Sequence, residues 1–98
     1  MATGKVNTLG VAYEGKELPW TDLNDATVYG HYYVTSNSTA AAISNRPSGI
    51  SGGFGLDVIR AGATSRIMQI YYPNEVDAIF IRHIGQVVTS WTRIPSSS

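Results

Sequence analysis

The chain has 98 residues, seven Lys plus Arg balanced by seven Asp plus Glu, a charged fraction of only 14% and no cysteine. So sparse and balanced a charge argues against nucleic acid, which needs a concentrated basic surface; the lack of cysteine excludes disulfides, thiolate metal sites and cysteine nucleophiles. No run approaches the ~18 apolar residues of a membrane helix and the opening MATGKVNTLG has no signal-peptide core, so the expectation is one small domain with no membrane insertion and no export signal.

Residues 1–20 read as a lead-in segment or linker. They are glycine-rich and polar, with scattered Val6, Leu9, Val11 and Tyr13, and have room for one short strand. Leu18-Pro19-Trp20 gives a rigid extended entry, because proline restricts both itself and the residue before it, and Trp20 is expected to anchor on the domain body. The opening methionine fits a natural start or an added start on an excised piece, and the Pro95–Ser98 tail suits a linker cut short.

Residues 21–95 read as an all-β domain, an antiparallel meander or sandwich with minimal helix. Thr21-Asp22-Leu23-Asn24-Asp25 has short side chains that bond nearby backbone N–H groups, which predicts a turn or a single helical turn. The first firm strand is Gly30–Thr35, with Tyr32 and Val34 on one face and His31 and Tyr33 on the other. Ser36–Gly53 is a long loop, of the kind that carries function in a small domain, with a helical turn predicted near Ala40–Ser44. Four β-branched and aromatic runs follow, FGLDVIR, RIMQIYY, AIFIRHI and VVTSWTRI, separated by turn residues. The breaks suit hairpins and are too short for parallel crossovers. Both faces of these strands mix apolar with hydrogen-bonding groups, so a second sheet, the N-terminal part or another copy of the chain is expected to cover them. With so small a core, oligomerisation is the remaining common way to add buried area.

Most chemical motifs fail on context. Gly49-Ile50-Ser51-Gly52-Gly53 matches G-x-S-x-G, but Pro47 precedes it and a strand follows, where a nucleophile elbow needs a strand before and a helix after. His31 and His83 lack partners at metal-ligand spacing, so no metal and no cofactor are expected. The carboxylate pairs Asp22/Asp25 and Glu75/Asp77 sit in predicted turns, where backbone bonding is their commoner role. Residues 46–98 hold five arginines and no lysine, a bias toward planar, bidentate recognition or toward structural ion pairs. The richest constellation is Arg66, Gln69, Tyr71, Arg82, His83, Trp91 and Arg93, with Tyr72 alongside. Aromatic rings pack on the C–H faces of sugars and forked polar groups bond their hydroxyls, which makes these residues candidates for a carbohydrate surface. The competing reading is a tyrosine core with intersubunit ion pairs.

The order DLND, YYV, a Ser/Thr-rich loop ending near RPSG, then GFGLDVIR, RIMQIYY, IFIRH and SWTRI resembles the knob domain of R-type pyocin and bacteriophage tail fibres. The likeness runs from Asp22 to Ile94, about three quarters of the chain. Its pieces fall on Asp22 and Asn24, Gly30 and Tyr32, Gly53 to Val58, Gln69 and Tyr71, Phe80 and Arg82, and Trp91 and Arg93. One departure is that family members often carry two tryptophans near the end, where this chain has Trp91 alone. The resemblance implies a homotrimer joined to other segments of a tail fibre, made in the bacterial cytoplasm and carried on a virion or phage-like particle. It also implies a non-enzymatic role in host attachment, with a bacterial surface glycan such as lipopolysaccharide as partner. Two alternatives stand beside it: a trimerisation segment with no receptor site of its own, and an accessory carbohydrate-binding domain of a depolymerase.

Overall fold

The computed structural model describes residues 15–62 and 66–95. The lead-in positions Val6, Leu9, Val11 and Tyr13 and the serine tail lie outside the described residues. Six strands form one sheet in chain order: β1 (Lys16–Glu17), β2 (Gly30–Val34), β3 (Phe54–Arg60), β4 (Ile67–Pro73), β5 (Ala78–Ile84) and β6 (Thr92–Pro95). Every neighbouring pair from β2 to β6 is antiparallel, as the short breaks predict. The short lead-in strand β1 adds a parallel edge: Lys16 and Glu17 pair with Tyr32 and Tyr33. The segment from Leu18 to Tyr29 supplies the crossover that such a pair requires.

Period-two alternation sorts the side chains into two layers. Tyr32 and Val34, Phe54, Leu56 and Val58, Ile67 and Tyr71, and Ala78 and Phe80 point to one face and are buried there. Tyr71 stacks on Phe54 with ring centroids 4.3 Å apart and takes Phe80 and Trp91 edge-on at 6.2 and 5.6 Å. These offset and edge-to-face contacts suit the ring quadrupoles and add to the area the rings bury.

The layer over that face is irregular chain from the N-terminal half, so the described residues form a single covered sheet, the meander form of the expected all-β fold. Leu23, Ala26, Ala40, Ile43 and Ile50 reach down from it into the core. Trp20 packs edge-on against Tyr32 at 5.0 Å, the anchoring its place after Pro19 predicts. The Asp22 carboxylate accepts from Asn24 N–H and caps a 3-10 turn at Leu23–Asp25. An α-helical turn, α1 (Asn37–Ala41), begins earlier than Ala40–Ser44 because the Ser36 hydroxyl caps it by accepting from Thr39 N–H.

Arg46 organises the long Ser36–Gly53 connection from within: Nε donates to Ile43 O, Nη1 to Ile50 O and Nη2 to Ala41 O. At its end Gly53 enters β3 where a Cβ would lie 2.5 Å from the Val34 carbonyl oxygen, so only glycine fits without backbone movement. Ser51, the serine of the G-x-S-x-G stretch, spends its N–H and its hydroxyl on Glu75 Oε1, and β3 follows at once, so no elbow forms.

The opposite face of the sheet has no layer of described residues on it. Met68, Ile70, Ile79 and Ile81 are half-buried there, and a polar group sits among them. Tyr72 donates to Asp57 Oδ2 at 2.7 Å, while Asp57 Oδ1 pairs with His31 Nδ1. Burial and the Asp57 bond together push the Tyr72 hydroxyl up to about 12.

Candidate functional site

The last predicted strand, VVTSWTRI, is shorter than its pattern. The chain leaves β5 in a tight turn in which Thr89 Oγ1 accepts from His83 N–H at 2.9 Å and Thr89 N–H donates to His83 O at 3.0 Å. Val88 makes a single antiparallel bridge to Ile84, residues 89–91 then run as a loop, and β6 starts only at Thr92. The local hydrogen bonds of threonine and the exposure of Val87 outweigh the β-branched pattern here.

That loop makes one wall of a cleft of about 340 Å³. Val88, Thr89, Ser90 and Trp91 face Asn24, Asn45 and Arg46 across it, and Arg82 lies among them. The far wall is held by backbone pairing between the Thr21–Leu23 and Ser44 segments: Leu23 N–H donates to Ser44 O and Ser44 N–H to Thr21 O. Asn45 follows with a φ of 65°, a left-handed conformation that asparagine tolerates better than most residues. Its side-chain amide donates to Asp22 Oδ1 at 2.7 Å, and its carbonyl accepts from the Trp91 indole N–H at 2.8 Å, bridging the two walls. The Asn45 amide, the Asn24 N–H and, from further off, the Arg82 charge hold the Asp22 carboxyl below its ordinary range.

Arg82 is the chemical centre. It is only 5% exposed. Its guanidinium lies over the Trp91 ring at 4.5 Å, and Nε donates to Gln69 Oε1 at 2.8 Å. Gln69, fully buried, donates through Nε2 to the carbonyls of Leu23 and Ala26 at 2.7 and 2.9 Å. Nη2 of Arg82 is buried without a hydrogen-bond partner. Among the described residues no carboxylate reaches ion-pair distance of it. Burial accordingly pulls the guanidinium down to about 10, only partly offset by the charge of Asp22.

Four of the seven candidate residues thus meet at one corner: Gln69, Tyr71, Arg82 and Trp91. Only Arg82 and Trp91 line the cleft. Gln69 and Tyr71 are corrected from ligand contacts to core, because both are fully buried beneath the Leu23–Ala26 turn and the Phe54–Trp91 aromatic cluster. The Tyr71 hydroxyl makes no hydrogen bond of ordinary geometry, and burial pushes it up to about 12 against the opposing pull of the nearby Arg46 guanidinium. The other three candidates stand apart. Arg66 is exposed where the chain enters β4, with its carbonyl accepting from Ala61 N–H. His83 lies on the open face with Met68. Arg93 is exposed on edge strand β6, 5.9 Å over Phe80.

Sequence reasoning missed Asn24, Asn45, Thr89 and Ser90 as cleft residues. Only the resemblance touched one of them, Asn24, since small polar residues in loops give no pattern until the fold pairs the loops. Among the described residues, no cluster of three or more His, Asp or Glu side chains is placed to hold a metal ion. Comparison with family models, curated proteins and solved structures finds no match to this chain.

Proposed function

We propose that this chain is a non-enzymatic knob domain of a phage or phage-like tail fibre that takes part in host attachment by binding a bacterial surface polysaccharide or lipopolysaccharide. The observation that carries this reading is the Arg82–Trp91 cleft. An indole at its rim, amides from Asn24 and Asn45, and hydroxyls from Thr89 and Ser90 converge on a space that fits one or two sugar rings. The residues of the tail-fibre resemblance add weight, since Asn24, Arg82 and Trp91 belong to both. Each site is shallow and weak by itself, and useful attachment comes from several copies on one fibre.

This reading includes a homotrimer, and the open sheet face is the surface it assigns to the subunit contact. Met68, Ile70, Ile79 and Ile81 form an apolar surface that another copy of the chain can cover. The test is binding of the purified chain to a panel of bacterial surface polysaccharides, with native mass recorded by sedimentation in the same experiment. Saturable binding to one polysaccharide by a trimer is expected. A folded chain that binds none would overturn the receptor reading.

A second reading, a structural or trimerisation segment of the fibre, is favoured by the burial of Gln69 and Tyr71. In that case Arg82 and Trp91 act only as a brace between the Ser90 loop and the Asn45 turn, and Trp91→Ala lowers stability without touching attachment.

A further inference from the structure

Resting on the glycan-binding reading of the same cleft, we propose that its ligand is an anionic sugar unit, whose carboxylate or phosphate group sits against the Arg82 guanidinium. Two arginines line the cleft and no acidic side chain does. Their situations differ. Arg46 spends its three nitrogens on the carbonyls of Ile43, Ile50 and Ala41. Arg82 uses Nε on Gln69, leaves Nη2 without a partner and has no carboxylate in contact among the described residues.

A buried cation with one carbonyl partner and a stacked ring is under-compensated, because a cation–π contact returns only part of the hydration an arginine gives up. Asp22, the nearest counter-charge, is engaged by Asn45 and the Asn24 N–H and acts on Arg82 only through space. An oxyanion at the cleft edge supplies the missing charge. Nε is taken by Gln69 and Nη2 is shut off from solvent, so the anion meets the guanidinium at Nη1, and the delocalised charge is neutralised from there. Asn24, Thr89 and Ser90 then stand where the neutral hydroxyls of the same sugar would lie.

The test uses the polysaccharide that binds in the panel, before and after two treatments: carbodiimide activation with borohydride reduction, which turns carboxylates into alcohols, and hydrofluoric acid, which removes phosphate. Loss of at least tenfold in affinity after the first identifies a carboxylate, and after the second a phosphate. Affinity that survives both would overturn the anionic assignment while leaving glycan binding intact. A panel in which nothing binds removes both.

Because Arg82→Gln disturbs the buried network, the companion variant is Ser90→Asp, on the exposed loop of the cleft wall. A like charge on that wall is expected to weaken binding of the anionic polysaccharide about tenfold, with the effect shrinking at high salt. Unchanged affinity in folded Ser90→Asp would count against the site.

Discussion

Arg82 Nε donates to Gln69 Oε1 at 2.8 Å, directly across the β4–β5 pair, and both side chains are buried. Gln69 is the joint between sheet and overlying layer, since its amide also reaches the carbonyls that close the Leu23–Ala26 turn. Gln69→Ala leaves the Ala26 carbonyl and the arginine donor without partners, while Leu23 O keeps only the Ala26 N–H. With buried unsatisfied groups costing about 1–3 kcal/mol each, the expected loss of unfolding free energy is about 2 kcal/mol or more. Gln69→Glu is expected to destabilise as well. It gives Arg82 a counter-charge but sets a carboxylate, which cannot donate, against two carbonyls. Urea unfolding of both variants checks this, and a cost below about 1 kcal/mol for the alanine variant would contradict the network.

Tyr71 gives the opposite expectation. Its hydroxyl is buried with no hydrogen bond of ordinary geometry and only the nearby Arg46 charge for company, so Tyr71→Phe removes a desolvated polar group and keeps the ring that Phe54, Phe80 and Trp91 pack on. The variant is expected to be as stable as the parent at neutral pH, or more so by up to about 1 kcal/mol. The pH dependence has a definite sign. With the folded value pushed up to about 12 and the unfolded value near 10, the unfolded chain releases the Tyr71 proton first. The stability that Tyr71 contributes is therefore complete below about pH 10 and lost between about pH 10 and 12. Arg82, pulled down to about 10, acts in the opposite sense over much of the same range and is common to both proteins. Parent minus Tyr71→Phe isolates the tyrosine. The phenylalanine variant is expected to lose stability less steeply above pH 10, and parallel curves would show that Tyr71 ionises as freely folded as unfolded.

The meander was legible because period-two alternation and turn breaks are local signals. FGLDVIR and AIFIRHI coincide with β3 and β5 residue for residue, and the Asp22 turn and the Trp20 anchor also lie where their local chemistry puts them. What stayed hidden depends on contacts distant in sequence. Gln69 reads as a surface polar group until a turn 43 to 46 residues earlier brings two carbonyls over it, and Arg82 is buried with it through their cross-strand bond. Trp91 sits within a strand-like run, yet its indole N–H goes to Asn45 and its backbone stays in a loop. His31, Asp57 and Tyr72 come from three different strands, and only the register unites them.

Gly53→Ala tests the junction between the long connection and β3. The added methyl meets the Val34 carbonyl oxygen at 2.5 Å and the Asn74 amide nitrogen at 2.8 Å, and the first of these is backbone that cannot swing away. The same residue accepts from Asn74 N–H and donates to Asn37 Oδ1, so a shift at Gly53 also disturbs the α1 turn. A loss of about 1–3 kcal/mol is expected, the usual range for forcing extra bulk into a packed site. Thermal unfolding measures it, and an unchanged midpoint would mean that the strand entry relaxes without cost.

The open face separates self-association from folding. Ile81 lies in its middle row, in register with Ile70 and Thr92, and Ile70 is in turn paired with Asp57. It is only half-buried in the single chain, so Ile81→Lys sets the ammonium in solvent and the alkyl stem on the sheet, at a cost to the isolated fold of about 1 kcal/mol or less. In a trimer that covers this face the same lysine is a buried, unpaired charge, which costs several kcal/mol at each copy of the interface. The variant is therefore expected to keep the circular dichroism of the parent while sedimenting as a monomer. A trimeric, folded Ile81→Lys would move the subunit contact off this face, and the edge strands β1 and β6 would become the next surfaces to substitute.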